Sequence, residues 1–415
     1  MERLVVIGNG MAPGRMLERL FAAAPDRFAV TIFNAEPRVN YDRIMLSPVL
    51  SGEKSFADIV IHDDDWYARN GVTLKKGCKA IAIDRSARTV TGEDGSVVSY
   101  DKLVIATGSS PFIIPVPGRD LPGVVSYRDL DDVEKMLAAV KSKQHAVVIG
   151  GGLLGLEAAA GLNRQGMTVS VVHLMPTLME RQLDPAAGGF LAQALEARGI
   201  EIVTAANTKA IRGDTHVTGV ELADGRVLPA DLVVMAVGIR PNATLAKDAG
   251  LAVNRGIVTD AAMQTSDPAI FALGECAEVE GQVFGLVAPL YDMAEVLAAR
   301  FAGDTSVTFR AVATATRLKV TGIELYSAGD FAPGEDREEI VLRDAGAGIY
   351  KRVVLKEKKI IGTVLYGETG DGPWFFDLLQ RGADTDPLRD LLIFGQNFDG
   401  SARLDAYGGR CSISG

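Results

Sequence analysis

The feature that most constrains the fold of this chain is a pair of apolar strands, each followed by a glycine-rich turn and a helix. The first strand, LVVI, leads into Gly8 and Gly10, a predicted helix around residues 16–24, and the strand FAVTIFNAE. Strand, turn, helix and strand form the βαβ unit of a parallel sheet. Glycine at 8 permits a tight turn, and glycine at 10 lets the backbone approach a pyrophosphate at the positive end of the helix. The sequence therefore predicts a dinucleotide site here.

The same succession returns from His145 onwards, in HAVVIGGGLLGLEAAAGLNRQGMTVSVVHLMP. The pattern G-x-G-x-x-G is complete here, and two leucines within it begin the helix. Its residues are Gly150, Gly152, Leu153, Leu154 and Gly155. Glycine-rich turns of some other α/β enzyme are the alternative interpretation. Two such units predict an α/β fold with two doubly wound dinucleotide-binding domains.

The residues around the two turns differ between the units. Glu36 ends the second strand of the first unit, where a carboxylate can accept hydrogen bonds from both hydroxyls of an adenosine ribose. The equivalent position of the second unit carries His173, and Arg181 lies farther along the chain. An acidic residue there favours NAD, and an arginine favours the phosphate of NADP, but Arg181 as a solvated loop charge is an equal alternative. The choice between NADH and NADPH stays open. In the first unit Pro13 replaces the expected third glycine, with Gly14 beside it, which leaves the packing of that helix open.

Three further strands end in small or acidic residues, in LVIATGSSP, VVMAVGIRPN and IFALGECAE. Small residues allow the backbone to pass close to a cofactor, and Glu275 is suited to bind a ribityl hydroxyl. Each segment alone is compatible with an ordinary buried strand, but their order around the glycine turns favours a cofactor site. The residues concerned are Ala106, Thr107, Gly108, Gly238, Gly274 and Glu275.

Composition excludes several other functions. The formal net charge is −10 and no long basic stripe occurs, which argues against nucleic acid as a partner. The start of the chain lacks the features of a signal peptide, and no apolar run approaches the ~18 residues of a membrane span. We therefore expect a cytoplasmic protein with no membrane partner. Cys78, Cys276 and Cys411 lie far apart and the four histidines are scattered, so no metal site is predicted.

In this order the motifs resemble those of the pyridine nucleotide–disulfide oxidoreductase superfamily, which binds FAD at the first glycine turn and NAD(P)H at the second. The segments NYDRIMLSPVLSGEK, HDDDWYARNGV, VVHLMPTLMERQLD and GDGPWFFDLL are similar to the amino-terminal half of the assimilatory nitrite reductase large subunit, from Met1 to about Gly395. The resemblance implies an FAD-dependent enzyme that takes a hydride from NADH or NADPH. It also implies further FAD-binding residues: Arg43 and Ser47 along the diphosphate and flavin edge, Ala80 at the adenine, and Pro289 and Leu290 beside the isoalloxazine at a helix start.

For the second site the resemblance implies that Glu157 lies near the nicotinamide amide, with a helix-surface charge as the alternative. Two departures from related reductases are visible. Pro48 stands where ferredoxin and rubredoxin reductases usually carry a lysine, and no cysteine occurs between residues 40 and 50. Disulfide-reductase chemistry is therefore not expected. We therefore expect the electrons to leave for a separate chain, an iron–sulfur or a sirohaem- or haem-type protein, in nitrite or nitrate assimilation. A ferredoxin or rubredoxin reductase serving an oxygenase, or a slow flavoprotein scaffold or sensor, are the alternatives.

We predict four regions along the chain. Residues 1–112 and 242–311 form a discontinuous FAD-binding domain, 113–241 an NAD(P)-binding domain, 312–396 a small C-terminal α+β domain, and 397–415 a polar tail. Nitrite reductase large subunits continue into iron–sulfur and sirohaem-binding domains, whereas this sequence offers only Cys411 in its tail. We therefore expect that this chain does not reduce nitrite by itself. The oligomeric state is left open, with a homodimer as one candidate.

Overall fold

The structure is a computed structural model and describes residues 1–311, 315–317 and 323–396. Contacts between residues divide the chain into two compact units. The first comprises Met1–Ile114, Ser126–Leu137 and Val237–Ala311. The second comprises Pro115–Val125, Ala138–Ala236 and the described residues from 315 onwards. The predicted polar tail, including Cys411, lies outside the described residues.

The described elements are named here in chain order. The strands are β1 (Glu2–Ile7), β2 (Phe28–Asn34), β3 (Asn40–Tyr41), β4 (Val60–His62), β5 (Thr73–Lys76), β6 (Ala80–Asp84), β7 (Thr89–Gly92), β8 (Val97–Ser99), β9 (Lys102–Ile105), β10 (Ser109–Pro111), β11 (Val124–Ser126), β12 (His145–Ile149), β13 (Thr168–Val172), β14 (Ile200–Val203), β15 (Thr208–Gly213), β16 (Val217–Leu222), β17 (Val227–Pro229), β18 (Leu232–Met235), β19 (Ile239–Pro241), β20 (Ile257–Thr259), β21 (Ile270–Ala272), β22 (Ala277–Val279), β23 (Ala315–Arg317), β24 (Leu325–Gly329), β25 (Glu338–Asp344), β26 (Ile349–Lys356) and β27 (Lys359–Tyr366). The α-helices are α1 (Met11–Ala23), α2 (Leu46–Leu50), α3 (Asp64–Arg69), α4 (Leu130–Val140), α5 (Leu153–Arg164), α6 (Pro185–Glu196), α7 (Thr244–Asp248), α8 (Val287–Ala302) and α9 (Gly372–Arg381). Short 3₁₀-helical turns cover Arg43–Met45, Ala57–Ile59, Asp386–Leu388 and Leu392–Phe394.

A five-stranded parallel sheet forms the centre of the first unit, with the order β21-β9-β1-β2-β5. The middle strand is apolar on both sides, and Leu4, Val5 and Val6 are all buried. Both faces of the sheet are covered, as this pattern requires. Helices α1 and α8 pack on one face, and α7 with the small antiparallel sheet β6-β7-β8 lies on the other.

Helix α1 begins earlier than predicted, at Met11. The physical reason is Pro13, which occupies the first turn, where a proline's missing N–H has no partner to lose. The helix therefore starts directly after Gly10, and its amino terminus points out of the glycine turn.

The second unit is built on another five-stranded sheet, of order β11-β18-β12-β13-β14, in which β18, β12, β13 and β14 run parallel and against which α5 and α6 pack. Its last part is an antiparallel sheet of order β23-β24-β27-β26-β25, against which α9 packs. This antiparallel sheet and α9 correspond to the small α+β region predicted near the end of the sequence. The predicted fold class, two doubly wound nucleotide-binding folds and a small C-terminal α+β region, is confirmed.

Within the described ranges, the helices are too short or too polar to cross a membrane.

Candidate functional site

The first glycine turn can be built only with glycine at position 8. Gly8 has φ +109°, a conformation that L side chains rarely adopt, and its N–H donates to the carbonyl oxygen of Phe33 at 2.8 Å. A Cβ on Gly8 would lie 2.1 Å from the carbonyl oxygen of Ala106. The turn therefore sits directly on the end of β9, where Ala106, Thr107 and Gly108 follow.

Gly10 is different, because it has an ordinary φ of −80° and forms the N-cap of α1. In the part of the chain that the structure describes, no atom lies within 4 Å of a Cβ built on Gly10, and no side chain caps this helix. The first N–H groups of a helix carry a partial positive charge and bind anions when they are uncapped. The open space beside Gly10 fits the pyrophosphate of a dinucleotide.

Asn40, which the sequence analysis did not single out, shapes this turn. Its Nδ2 donates to the carbonyl oxygens of Asn9 and Gly10 at 2.8 and 2.7 Å, and the side chain is buried. A Cβ on Gly14 would lie only 3.2 Å from the same Nδ2. A small residue at position 14 therefore suits the packing of α1 against Asn40.

Glu36 lies just beyond β2 and is held by two neighbours. Its Oε2 accepts a hydrogen bond from the hydroxyl of Tyr41 at 2.7 Å, and its Oε1 forms an ion pair with Arg43. Burial raises the pKa of Tyr41, so this hydroxyl remains a donor. These two contacts fix the position of the Glu36 carboxylate, and its role with a ribose diol stays a prediction.

Glu275 is fixed by two residues that the sequence analysis missed. It forms an ion pair with Arg128, and Ser109 Oγ donates to its Oε2 at 2.7 Å. Gly108 has φ +63°, and a Cβ there would lie 3.7 Å from Arg128 and 4.0 Å from Glu275. Thr107 Oγ1 donates to the carbonyl oxygen of Asn242 at 2.7 Å. The ends of β9 and β21 therefore form one polar cluster.

The remaining residues predicted for FAD also lie in the first unit. Ser47, on α2, is 3.0 Å from the hydroxyl of Tyr127, and Ala80 begins β6 and is buried. Pro289 and Leu290 lie in the first turn of α8. Gly274 has φ +85° next to Glu275. Their contacts with FAD stay predictions.

The second glycine turn repeats the construction of the first. Gly150 has φ +123°, and its N–H donates to the carbonyl oxygen of Val172 at 2.8 Å. A Cβ on Gly155 would lie 2.0 Å from the carbonyl oxygen of Gly150, so α5 approaches the turn as closely as backbones allow. Gly152 is the N-cap of α5, and the described residues leave the space within 4 Å of its Cβ position empty. This turn, too, has room for an anion at a helix start.

His173 does not present a free ring to this site. Its Nδ1 accepts a hydrogen bond from the N–H of Gly151 at 3.0 Å, and its Nε2 lies 2.9 Å from Oε2 of Glu180. Since Nδ1 accepts, Nε2 carries the proton and donates to Glu180. The imidazole therefore holds the turn and a carboxylate together. Arg181 is exposed at the edge of a cleft of about 660 Å³ in the second unit.

Two further predictions concern the nicotinamide. Glu157 lies on α5, after Leu153 and Leu154 at its start, and only 8% of its surface is exposed. A surface charge is therefore not the explanation of this residue, and its role near the nicotinamide amide stays a prediction. Gly238, with φ +110°, lies in the first unit and accepts a hydrogen bond from the N–H of Phe112 at 2.9 Å.

Comparison with known proteins decides the family. The description "Pyridine nucleotide-disulphide oxidoreductase" matches residues 2–300. The chain belongs to this family. A second description, "Rubredoxin NAD+ reductase C-terminal domain", matches residues 315–383. The predicted superfamily is thus confirmed, and the C-terminal sheet has a counterpart in known reductases.

Three similar proteins illustrate the range. The Bacillus subtilis "Nitrite reductase [NAD(P)H]" is 48% identical over 94% of this chain and 49% of that protein. The Bacillus subtilis "Assimilatory nitrate reductase electron transfer subunit" is 42% identical over 94% of this chain and 51% of that protein. A crystal structure of a ferredoxin reductase from Rhodopseudomonas palustris has a TM-score of 0.85 and 27% identity, and covers 95% of this chain and 98% of the other. The chain spans about half the length of the curated relatives that it matches.

These findings confirm three predictions. The chain is an oxidoreductase, its cofactors are FAD and a reduced nicotinamide dinucleotide, and its relatives include nitrite and nitrate reductase components. The two glycine turns, each with open space at an uncapped helix start, fit two dinucleotides. Which residue performs which role in binding remains to be tested.

Proposed function

We propose that this chain is the electron-input component of an assimilatory nitrite or nitrate reductase system. It takes electrons from NADH or NADPH and passes them to a separate iron–sulfur or haem-type protein. The observation that supports this proposal best is the pair of glycine turns, one in each unit, that leave room for a pyrophosphate. Similarity to the electron transfer subunit of a nitrate reductase supports the proposed pathway.

Bound FAD supplies an acceptor for the hydride of the nicotinamide, and the protein supplies position and charge. Gly10 and the start of α1 would hold one diphosphate, and Glu36 would orient a ribose. Gly152 and the start of α5 would hold the other dinucleotide. The uncapped start of α8, with Pro289 and Leu290, would supply partial positive charge to a flavin ring bound beside it. Alignment of this kind needs no acid–base pair in the protein.

The electrons leave for an external acceptor in this proposal. Cys78 and Cys276 are buried and unpaired, and both lie far from the segment 40–50 in sequence. Burial raises the pKa of the Cys276 thiol, which keeps it unreactive. A dithiol relay therefore has no support in the described residues.

A ferredoxin or rubredoxin reductase is the second candidate. The match of residues 315–383 to a rubredoxin reductase C-terminal domain and the likeness to a ferredoxin reductase favour it. Pro48 disfavours this candidate, because related ferredoxin and rubredoxin reductases usually carry a lysine at this position. Steady-state reduction of ferredoxin, rubredoxin and a nitrite reductase catalytic component by the same preparation separates the two candidates.

We propose the domain limits drawn from the sequence, namely 1–112 with 242–311 for FAD, 113–241 for NAD(P) and 312–396 for the C-terminal domain. A cytoplasmic location is part of the same proposal, because the donor is a cytoplasmic metabolite.

The decisive experiment compares three glycine-to-valine variants. Gly10, Gly152 and Gly189 all have room for a side chain among the described atoms, so each variant is expected to fold. Gly10→Val should give a colourless protein, because the side chain fills the space of the FAD diphosphate. Gly152→Val should stay yellow but not bleach with anaerobic NADH or NADPH. Gly189→Val, on α6, is the control: it should be yellow and should bleach with the anaerobic donor.

Absorption spectra before and after anaerobic addition of the donor provide the measurement. The parent chain should be yellow and should bleach at the ~1–10³ s⁻¹ of ordinary enzymes. A colourless parent chain, or loss of flavin in the Gly152→Val protein, contradicts the proposal. Bleaching slower than about one per minute with both donors would instead indicate a scaffold.

A further inference from the structure

The loop that follows β13 is tied to the second glycine turn through both backbone groups of Gly151. The N–H of Gly151 donates to Nδ1 of His173 at 3.0 Å, and its carbonyl oxygen accepts from the N–H of Met179 at 2.9 Å. A Cβ on Gly151 would lie 2.6 Å from Leu178. The loop therefore packs directly on the turn that approaches the dinucleotide.

Met179 has a backbone conformation that is uncommon for its type. Its φ is +51°, and the side chain is buried. Left-handed conformations of residues other than glycine are retained where the surrounding structure fixes them, and they concentrate at functional sites. Here the conformation turns the chain back so that the next residue, Glu180, reaches Nε2 of His173 at 2.9 Å.

Glu180 thereby brings a carboxylate to the end of β13, where the sequence itself places a histidine. Its side chain is 33% exposed, so it remains accessible to a ligand at the second turn. Among the residues that the structure describes, none contacts the other carboxylate oxygen, which leaves it available to a ligand hydroxyl. His173 fixes the position of this carboxylate relative to the turn.

We propose that Glu180 binds the 2′-hydroxyl of the adenosine ribose and makes the enzyme selective for NADH over NADPH. The inference rests on the proposed function, because it requires the dinucleotide at the second turn. A carboxylate accepts the hydrogen bond of a ribose hydroxyl and repels a 2′-phosphate in the same place. Glu180 is the specificity residue, and His173 is the positioning residue that holds it.

Arg181 would favour the opposite preference, for NADPH over NADH. It follows Glu180 directly, is exposed, and forms no ion pair with the residues that the structure describes. Glu180, by contrast, is anchored through His173 to the turn itself. Both side chains are exposed, but the hydrogen bond to His173 fixes the distance of the Glu180 carboxylate from the turn, and a charge held at a set distance discriminates more strongly than one that can move away. The geometry therefore favours NADH.

The test measures binding without turnover, by titration calorimetry of the flavin-loaded protein with ADP-ribose and with its 2′-phosphorylated form. The parent chain should bind ADP-ribose more tightly. In Glu180→Gln the ratio of the two dissociation constants should fall by about tenfold, the effect of one charge-assisted hydrogen bond. Glu196→Gln, at the exposed end of α6, changes the same residue type in the same unit and should leave the ratio unchanged.

The outcomes separate this inference from the proposed function. If the parent chain binds neither ligand, the proposed dinucleotide site does not exist, and both the proposed function and the inference on Glu180 are overturned. If it binds ADP-ribose but Glu180→Gln changes the ratio by less than about threefold, only the inference on Glu180 is overturned. A parent chain that prefers the 2′-phosphorylated ligand, and loses this preference in Arg181→Ala, would assign the specificity to Arg181 instead.

Discussion

Two glycines in neighbouring helices show how different the demands on this residue type can be. Gly155, in α5, lies against the backbone of the second turn, and a Cβ there would be 2.0 Å from the carbonyl oxygen of Gly150. Gly189, in α6, is exposed, and the described atoms leave space around its Cβ position. The first glycine is required by packing, whereas the second only weakens its helix.

Replacing each of them by alanine should therefore change stability in opposite directions. Gly155→Ala should lower the free energy of unfolding of the second unit by about 1–3 kcal/mol, because the helix has to move away from the turn. Gly189→Ala should raise it by about 0.5–1 kcal/mol. Urea unfolding followed by the fluorescence of Trp374, in a Trp66→Phe background, provides the measurement. Equal effects of the two substitutions would contradict the packing argument.

For single residues, the sequence predicts turns better than side-chain contacts. Gly8 and Gly150 could be predicted, because a strand that runs through glycines into a helix leaves few other geometries. His173 could be placed at the strand end, but its bond to Gly151 and its pairing with Glu180 could not. That pairing depends on the left-handed backbone of Met179, for which the local sequence carries no signal.

Helix α6 depends on a residue of the C-terminal sheet. Asp184 is the N-cap of α6 and accepts a hydrogen bond from the N–H of Ala187 at 2.9 Å. The same carboxylate forms a buried ion pair with Arg352 of β26 at 3.0 Å and accepts a hydrogen bond from the hydroxyl of Tyr350. Burial raises the pKa of Tyr350, so the hydroxyl remains protonated. The order of these elements could be predicted from the pattern of strands and helices, but this link between distant residues could not.

A buried ion pair and an exposed one should respond very differently to the loss of their arginine. Arg352→Met removes the cation that Asp184, whose side chain is 8% exposed, shares with the more exposed Glu339, and should lower the free energy of unfolding by about 3–5 kcal/mol. Arg389→Met breaks the exposed pair with Glu338 and should change it by less than about 1 kcal/mol. Thermal unfolding of both proteins provides the comparison. A similar loss in both would show that Asp184 is well solvated.

The whole molecule contains two tryptophans, and they divide between the two units, Trp66 in the first and Trp374 in the second. Trp66 stacks on His62, with ring centroids 3.9 Å apart, and Nε2 of His62 lies 2.8 Å from Oε1 of Glu18. Burial lowers the pKa of His62. The two units can therefore be followed separately, and the first should have its own dependence on pH.

A lowered pKa means that the folded first unit holds His62 neutral while the unfolded chain protonates it more readily. The stability from this residue is present above the unfolded pKa of about 6.5 and is lost as the pH falls below it. We expect Trp66 fluorescence, in a Trp374→Phe background, to report less stability at pH about 5.5 than at about 7.5. His62→Gln should reduce this difference, and His216→Gln, an exposed change, should not. An undiminished difference in His62→Gln would assign the acid sensitivity to other groups.

The buried ion pair between Asp184 and Arg352 has a consequence for any attempt to transplant the parallel sheet and helices of the second unit into a chimaeric reductase. A graft that omits β26 leaves Asp184 as a charge without its cation, at the very residue that starts α6. Such a hybrid needs either the terminal sheet carried along or a neutral replacement such as Asp184→Asn, which can still cap the helix.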